Sequence, residues 1–206
     1  MNASGCWKCG EEPHDSLFCK FCNTLQRPAT DYFRFFGLER KLTIDLAALQ
    51  ERYYRLSRLV HPDRFQNGTP NERRFSLDAT AILNDAYRTL RDPVARAEYV
   101  LKEEGMEAAD RKSKRVPPEL LEEVFEVNMA LEELRGGEAP VRRALETALG
   151  RFRAWCGEID GELGVFFAEY DRQRDRDVLM KVRNLLDRRS FISNLVGEVE
   201  AGLEKH

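Results

Sequence analysis

The sequence predicts a mainly α protein, with a small zinc-knuckle or rubredoxin-like unit at its N-terminus and a three-helix bundle at its C-terminus. Three observations carry that expectation. Two Cys-x-x-Cys pairs, Cys6/Cys9 and Cys19/Cys22, fall within the first 30 residues. From Asp31 onward, apolar residues recur at helical spacing. Capping residues, prolines and glycines cut that pattern into separate helices. The expected divisions are a tetracysteine unit (1–30), a helical unit (31–105), a basic linker (106–116) and a helical bundle (117–206).

Composition supports a soluble, helical reading. The 206 residues are 42% hydrophobic and 33% charged, enough apolar matter for real cores, with the charge suited to long solvated helices. The net charge of −3 argues against nucleic acid as a main partner, since phosphate binding needs a basic surplus. No run of about 18 apolar residues suits a membrane span. The first 12 residues lack the basic-then-apolar order of a secretory signal, so the expected setting is cytoplasmic.

The N-terminal 30 residues are punctuated by Gly5, Gly10, Pro13 and Pro28 and show no helical period. So short a segment cannot bury a useful core and needs a staple. Each cysteine pair forms a knuckle presenting two sulfurs. Two knuckles complete a tetrahedron with no position left for a substrate, which points to a structural zinc site. In a reducing compartment this pattern favours metal over disulfides. Iron accepts the same ligand set. His14 lies between the pairs and reads as a loop residue, and Cys156, beside Trp155, as a packed thiol.

The helical unit opens with Asp45 capping a helix whose apolar face is Leu46, Leu49, Tyr53, Leu56 and Val60. It ends at His61-Pro62, because proline disfavours a helical residue before it. Asn67-Gly68 reads as a turn. Thr69-Pro70-Asn71-Glu72 is a capping box with proline at the first helical position. Phe75, Ala79, Ile82, Ala86 and Leu90 form the expected buried face of the next helix, which Asp92-Pro93 ends. A shorter helix runs over about 94–103 to Gly105.

Beyond the linker, with Arg111, Lys112, Lys114 and Arg115, Pro117-Pro118 starts a helix with Leu120, Val124, Val127, Leu131 and Leu134 on one face. Gly136-Gly137 closes it and Pro140 opens another. A final helix is expected over about 172–204, carrying Val178, Val182, Leu185, Leu195, Val199 and Leu203, while Gly157, Gly161 and Gly164 blur the helical pattern in the middle of this region. Three helices with short connections suggest an antiparallel bundle.

His61-Pro62-Asp63 draws its meaning from its setting. It follows an amphipathic helix that places Arg55 and Arg58 opposite Tyr53 and Arg52 on the flank, and Arg64 extends the basic strip. Alone, such arginines read as an ordinary solvated face. With this loop, the sequence resembles the J-domain family, and within it the HscB-type iron–sulfur co-chaperones that carry an N-terminal tetracysteine unit. The resemblance rests on CWKCG with Cys19-Lys-Phe-Cys22, DYFRFFGL (31–38), LQERYYRLSRLVHPDRF (49–65), ATAILNDAYRTLRDP (79–93) and RAEYVL (96–101).

The resemblance implies a helical J-domain that docks on a heat-shock 70 kDa chaperone of HscA or DnaK type. His61, Pro62, Asp63, Arg52, Arg55, Arg58 and Arg64 would form the docking surface, and docking would stimulate the chaperone's ATPase. Asp63 offers a fixed carboxylate to a partner arginine, and the arginines steer the encounter. The resemblance also implies that the bundle binds an iron–sulfur scaffold of IscU type. Leu121 and Phe125 fall on family contact positions. Glu122 replaces an apolar residue there, and Glu126 belongs to an acidic rim. The aromatic residue expected on the last helix is Asn184, with Leu185 adjacent. A homodimer is compatible with this reading, and none of these roles calls for an enzyme. Two alternatives differ in class: a general J-protein for unfolded clients, and a small tetracysteine redox protein.

Overall fold

The computed structural model describes residues 5–12, 16–106, 118–134 and 139–205. His14, Pro117, Gly136, Gly137 and the linker cations Arg111, Lys112, Lys114 and Arg115 lie outside them. The protein is helical, with a tetracysteine unit at its N-terminus and long helices at its C-terminus. It divides into two compact units, 1–96 and 97–206. Among the described residues, no helix is long and apolar enough to cross a membrane.

In the first unit, helix α1 (Tyr32–Phe36) is a short plug that buries Phe33, Phe35 and Phe36. Asp31 accepts the Arg34 N–H at its start. Gly37, at φ 63°, ends it in the left-handed conformation open to glycine. Helix α2 (Leu46–Val60) begins where the Asp45 carboxylate accepts the N–H groups of Ala47 and Ala48. Helix α3 (Pro70–Arg91) carries the full capping box on Thr69 and Glu72. The N–H and hydroxyl of Thr69 hold the Glu72 carboxyl below its ordinary range.

Helices α2 and α3 run antiparallel. Tyr53 donates its hydroxyl to Asn84 Oδ1 at 3.0 Å and stacks on Tyr87, with ring centroids 4.3 Å apart. Nearer the loop, the Ser76 hydroxyl bonds the Val60 carbonyl at 2.6 Å. Helix α4 (Pro93–Glu103) crosses the boundary between the units. At its start, buried Arg96 donates through Nε to the Leu42 carbonyl at 2.8 Å and through Nη1 to the Leu90 carbonyl.

Two expected faces shift. Leu46 is exposed, because it is the first residue of α2 and lies beyond the reach of α3's core face. On α3, the fully buried line is Ser76, Ala79, Leu83, Ala86 and Leu90, while Phe75 and Ile82 are half-buried on its edge. The expected face shares Ala79, Ala86 and Leu90 with the true one and is off by one at two positions, where Ser76 and Leu83 are buried in place of Phe75 and Ile82.

In the second unit, a 3₁₀ turn (Pro118–Leu120) leads into α5 (Leu121–Leu134), followed by α6 (Ala139–Gln173) and α7 (Arg176–Lys205). The glycines do not interrupt the middle region: α6 runs 35 residues, about 52 Å, straight through them. Gly157, Gly161 and Gly164 lie on its solvent face. The opposite face is continuous, with Leu145, Leu149, Phe152, Ile159, Leu163, Phe167 and Tyr170 buried. Packing of that face outweighs a helix-propensity loss of about 1 kcal/mol per glycine. Cys156 falls in the same heptad register, and burial pushes its thiol up.

The chain reverses at Arg174, a non-glycine residue at φ 57°, so the last helix starts at Arg176 rather than near 172. Helix α7 buries Val178, Leu179, Val182, Leu186, Ile192, Leu195 and Val199. Arg189 grips Asp160 with two nitrogens, and Arg153 reaches Glu200 at 2.6 Å, so α6 and α7 are antiparallel. These exposed pairs set register more than stability.

Arg96 supplies the sharpest test of the first unit's core. Replacing it with leucine removes two charge-assisted hydrogen bonds to carbonyls and is expected to lower unfolding stability by about 3 kcal/mol. Urea denaturation of the full chain measures this. A loss under about 0.5 kcal/mol would show that those bonds do not support the fold.

Candidate functional site

The loop between α2 and α3 is built by a proline and its neighbours. Pro62 has no N–H to continue the helix, and His61 turns extended at ψ 130°. Residues Pro62–Phe65 then form one 3₁₀ turn. Within it, Arg64 N–H bonds the His61 carbonyl at 3.0 Å. His61 Nδ1 accepts the Asp63 N–H at 3.3 Å and lies 3.5 Å from Asp63 Oδ2. Gln66 donates to Asp63 Oδ1 at 3.3 Å. The Asp63 side chain is 73% exposed, so the loop presents an oriented carboxylate to solvent.

Of the arginines expected beside it, Arg55, Arg58 and Arg64 are exposed. Arg64 donates back to the Arg58 carbonyl at 3.4 Å. Arg52 has a different occupation: its Nη1 bonds the carbonyls of Phe36 and Gly37 at 3.0 and 2.9 Å, closing the C-terminus of α1. The pattern could not separate it from its neighbours, because those carbonyls come from a turn 15 residues away. Two residues escaped the sequence reading. Tyr54 and Leu59 are exposed and share a shallow groove with Glu51, Arg55 and Arg58. The helical wheel carried that signal, since both lie off the Tyr53 face.

The four cysteines come together. Their sulfurs all lie within 4.8 Å of one another, with Cys6–Cys22 at 3.6 Å and Cys9–Cys19 at 3.7 Å. A tetrahedral ion bonded to sulfur at about 2.3 Å sets sulfurs about 3.8 Å apart, so the residues fit a metal ion. The two knuckles repeat one geometry. Gly10 N–H bonds the Cys6 carbonyl and Asn23 N–H the Cys19 carbonyl, each at 2.8 Å. Gly10 and Asn23, each following a second cysteine, take φ of 79° and 53°. Such a left-handed turn suits glycine and asparagine.

Further groups hold the sulfurs in place. Lys8 N–H and the Gln26 side-chain amide donate to Cys6 Sγ at 3.4 and 3.3 Å. Cys22 Sγ lies 3.3 Å from the Thr24 hydroxyl oxygen. Burial pushes Cys6 up, but backbone N–H groups outweigh it and bring the thiol down to about 6. At Cys9 the Glu11 N–H pulls down, while burial and the other sulfurs carry the thiol up to about 12. Four thiolates packed this closely repel, and a metal cation among them would let all of them ionise. The unit also packs on α3: Trp7 donates to the Leu25 carbonyl at 2.8 Å and meets Phe75 edge-on, with centroids 6.3 Å apart.

In the second unit, Leu121 and Phe125 stand on the solvent face of α5, 54% and 65% exposed. Met129, one turn further, extends the stripe. Glu122 and Glu126 are exposed beside it. The core face of α5 is instead Val127 and Leu134, preceded by Leu120. Leu185 is half-buried and Asn184 exposed on α7.

Comparison with known proteins agrees with this architecture. A DnaJ domain family model matches residues 31–99. The iron–sulfur cluster co-chaperone protein HscB of Mus musculus is 33% identical over 187 residues, spanning 88% of this chain and 78% of that protein. The co-chaperone protein HscB homolog of Shewanella loihica is 30% identical, over 82% of this chain and 95% of that one. The crystal structure of human co-chaperone protein HscB superposes with a TM-score of 0.70 at 30% identity, covering 96% of this chain and 97% of the other. Chaperone HscB from Vibrio cholerae gives 0.56 at 27% identity, covering 83% and 96%. With a J-domain loop between α2 and α3 in its first unit and long helices in its second, the chain belongs to the HscB family of iron–sulfur cluster co-chaperones.

Proposed function

We propose that this chain docks on a heat-shock 70 kDa chaperone of HscA or DnaK type through His61-Pro62-Asp63 and the arginines Arg55, Arg58 and Arg64, and raises its ATPase rate. The carrying observation is the exposed Asp63 carboxylate, held by the Gln66 amide on a residue whose backbone N–H is fixed by His61 Nδ1. A fixed carboxylate meets a partner guanidinium with little ordering cost. The exposed arginines favour an acidic partner surface, and Tyr54 and Leu59 between them add apolar contact. Arg52 acts one step back, by holding α1 against α2. The chain's part is to bind and orient, while the hydrolysed bond belongs to the chaperone's nucleotide.

The bundle carries the client in this reading. Leu121 and Phe125, rimmed by Glu122 and Glu126, form with Leu185 on α7 the proposed contact residues for an iron–sulfur scaffold of IscU type with basic groups around an apolar patch. Bringing scaffold and chaperone together promotes cluster transfer. The metal of the four cysteines is proposed to be zinc, in a reducing cytoplasm where thiolates persist. Zinc supplies a redox-inert tetrahedral crosslink in place of a core, and Cys6, Cys9, Cys19 and Cys22 are its ligands.

Three measurements test these assignments. Asp63→Ala is expected to lower stimulation of the cognate chaperone's ATPase at least tenfold, with unchanged circular dichroism. Stimulation equal to wild type would remove the loop from the mechanism. The double variant Leu121→Ser/Phe125→Ser is expected to keep its melting temperature and weaken scaffold binding at least tenfold, about 1.4 kcal/mol by titration calorimetry. Unchanged affinity would move the client elsewhere. Metal analysis should give one zinc per chain, and a strong chelator should red-shift the Trp7 fluorescence while far-ultraviolet helicity persists. Ferric tetrathiolate absorption in the purified protein would replace zinc with iron.

A further inference from the structure

We infer that Ser76 is a positioning residue for the His-Pro-Asp loop, acting through the last carbonyl of α2. This rests on the proposed docking role of the loop and names what holds it. In a continuing helix, the Val60 carbonyl would accept the N–H of residue 64. Here that N–H has turned to the His61 carbonyl, and Pro62 has none to offer. The Val60 carbonyl is therefore released by the same turn that makes the loop.

Ser76 receives it. Its hydroxyl bonds the Val60 oxygen at 2.6 Å, and the residue is completely buried. Thr80, one turn on, approaches the same oxygen at 3.5 Å while bonding the Ser76 carbonyl at 2.9 Å. A serine fully buried at the loop end of an Ala-Leu face is unfavourable unless its hydroxyl is paired, and it is paired to this carbonyl. The bond fixes the peptide between Val60 and His61 against α3. From that peptide the chain leaves at ψ 130°, and His61 Nδ1 then accepts the Asp63 N–H. Ser76 thus sets the direction of Asp63 without approaching a partner. Arg58 and Arg55 lie about half a turn and one and a half turns back from Val60, within α2 itself.

The test uses the full chain with Ser76→Ala, wild type, Asp63→Ala, and Leu90→Val as a stability control at the far end of α3. Below the melting transition, Ser76→Ala is expected to lower maximal ATPase stimulation three- to tenfold. The concentration for half-maximal stimulation should stay within twofold, because the arginines still bring the partners together. Leu90→Val should leave both near wild type. Wild-type maximal stimulation by Ser76→Ala, or an equal loss in Leu90→Val, overturns the inference. Amide hydrogen exchange gives a reading independent of any chaperone. The Arg64 amide is expected to exchange at least fivefold faster in Ser76→Ala, with amides at the middle of α2 unchanged, and an unchanged Arg64 rate also overturns it. Failure of wild type to stimulate, with exchange behaving as expected, would instead sink the docking role and leave the positioning intact.

Discussion

The antiparallel pairing of α2 with α3 is the constraint on which the first unit depends. A pair of helices joined by a tight turn must satisfy the carbonyls where the first one stops. Here the turn contains a proline, so backbone donors are scarce, and a side chain from the facing helix completes the set. Further along, Tyr53 fills the gap between the helices with a ring and a hydroxyl, meeting Tyr87 and Asn84. One pin is at the loop and the other in the middle. The loop projects from a frame that cannot slide, which is what a small recognition element needs.

The same economy governs the ends of that frame. Arg52 and Arg96 are cations used as internal braces, each bonded to two backbone carbonyls from other segments. Along α2 the arginines facing water are Arg55 and Arg58, joined by Arg64 from the loop and interleaved with Tyr54 and Leu59.

What could be read from the sequence was what is local. Thr69, Pro70 and Glu72 specify a helix start within four residues, and the structure has that start. Two Cys-x-x-Cys pairs specify two knuckles, and the sulfurs converge. What could not be read depends on distant partners. Ser76 looks polar and therefore exposed, until the orphaned carbonyl of Val60 is known. Gly157, Gly161 and Gly164 look like breaks, until the uninterrupted opposite face of α6 is packed. Arg52 looks like its neighbours, until the end of α1 folds back against it. The faces of α5 were legible in part, since one amphipathic pattern fits either a wide core stripe or an exposed second strip, and burial decides between them.

The apolar stripe on α5 has a consequence for the protein when it is alone. Leucine, phenylalanine and methionine in a row on a solvent face would ordinarily invite self-association. Two copies meeting there through a two-fold axis would set Glu122 and Glu126 of one against the same residues of the other. Like charges at the edge of a closing interface oppose it, while a basic counterpart is drawn in. The acidic rim therefore opposes such a pairing electrostatically before any partner arrives, and raising the ionic strength should weaken that repulsion.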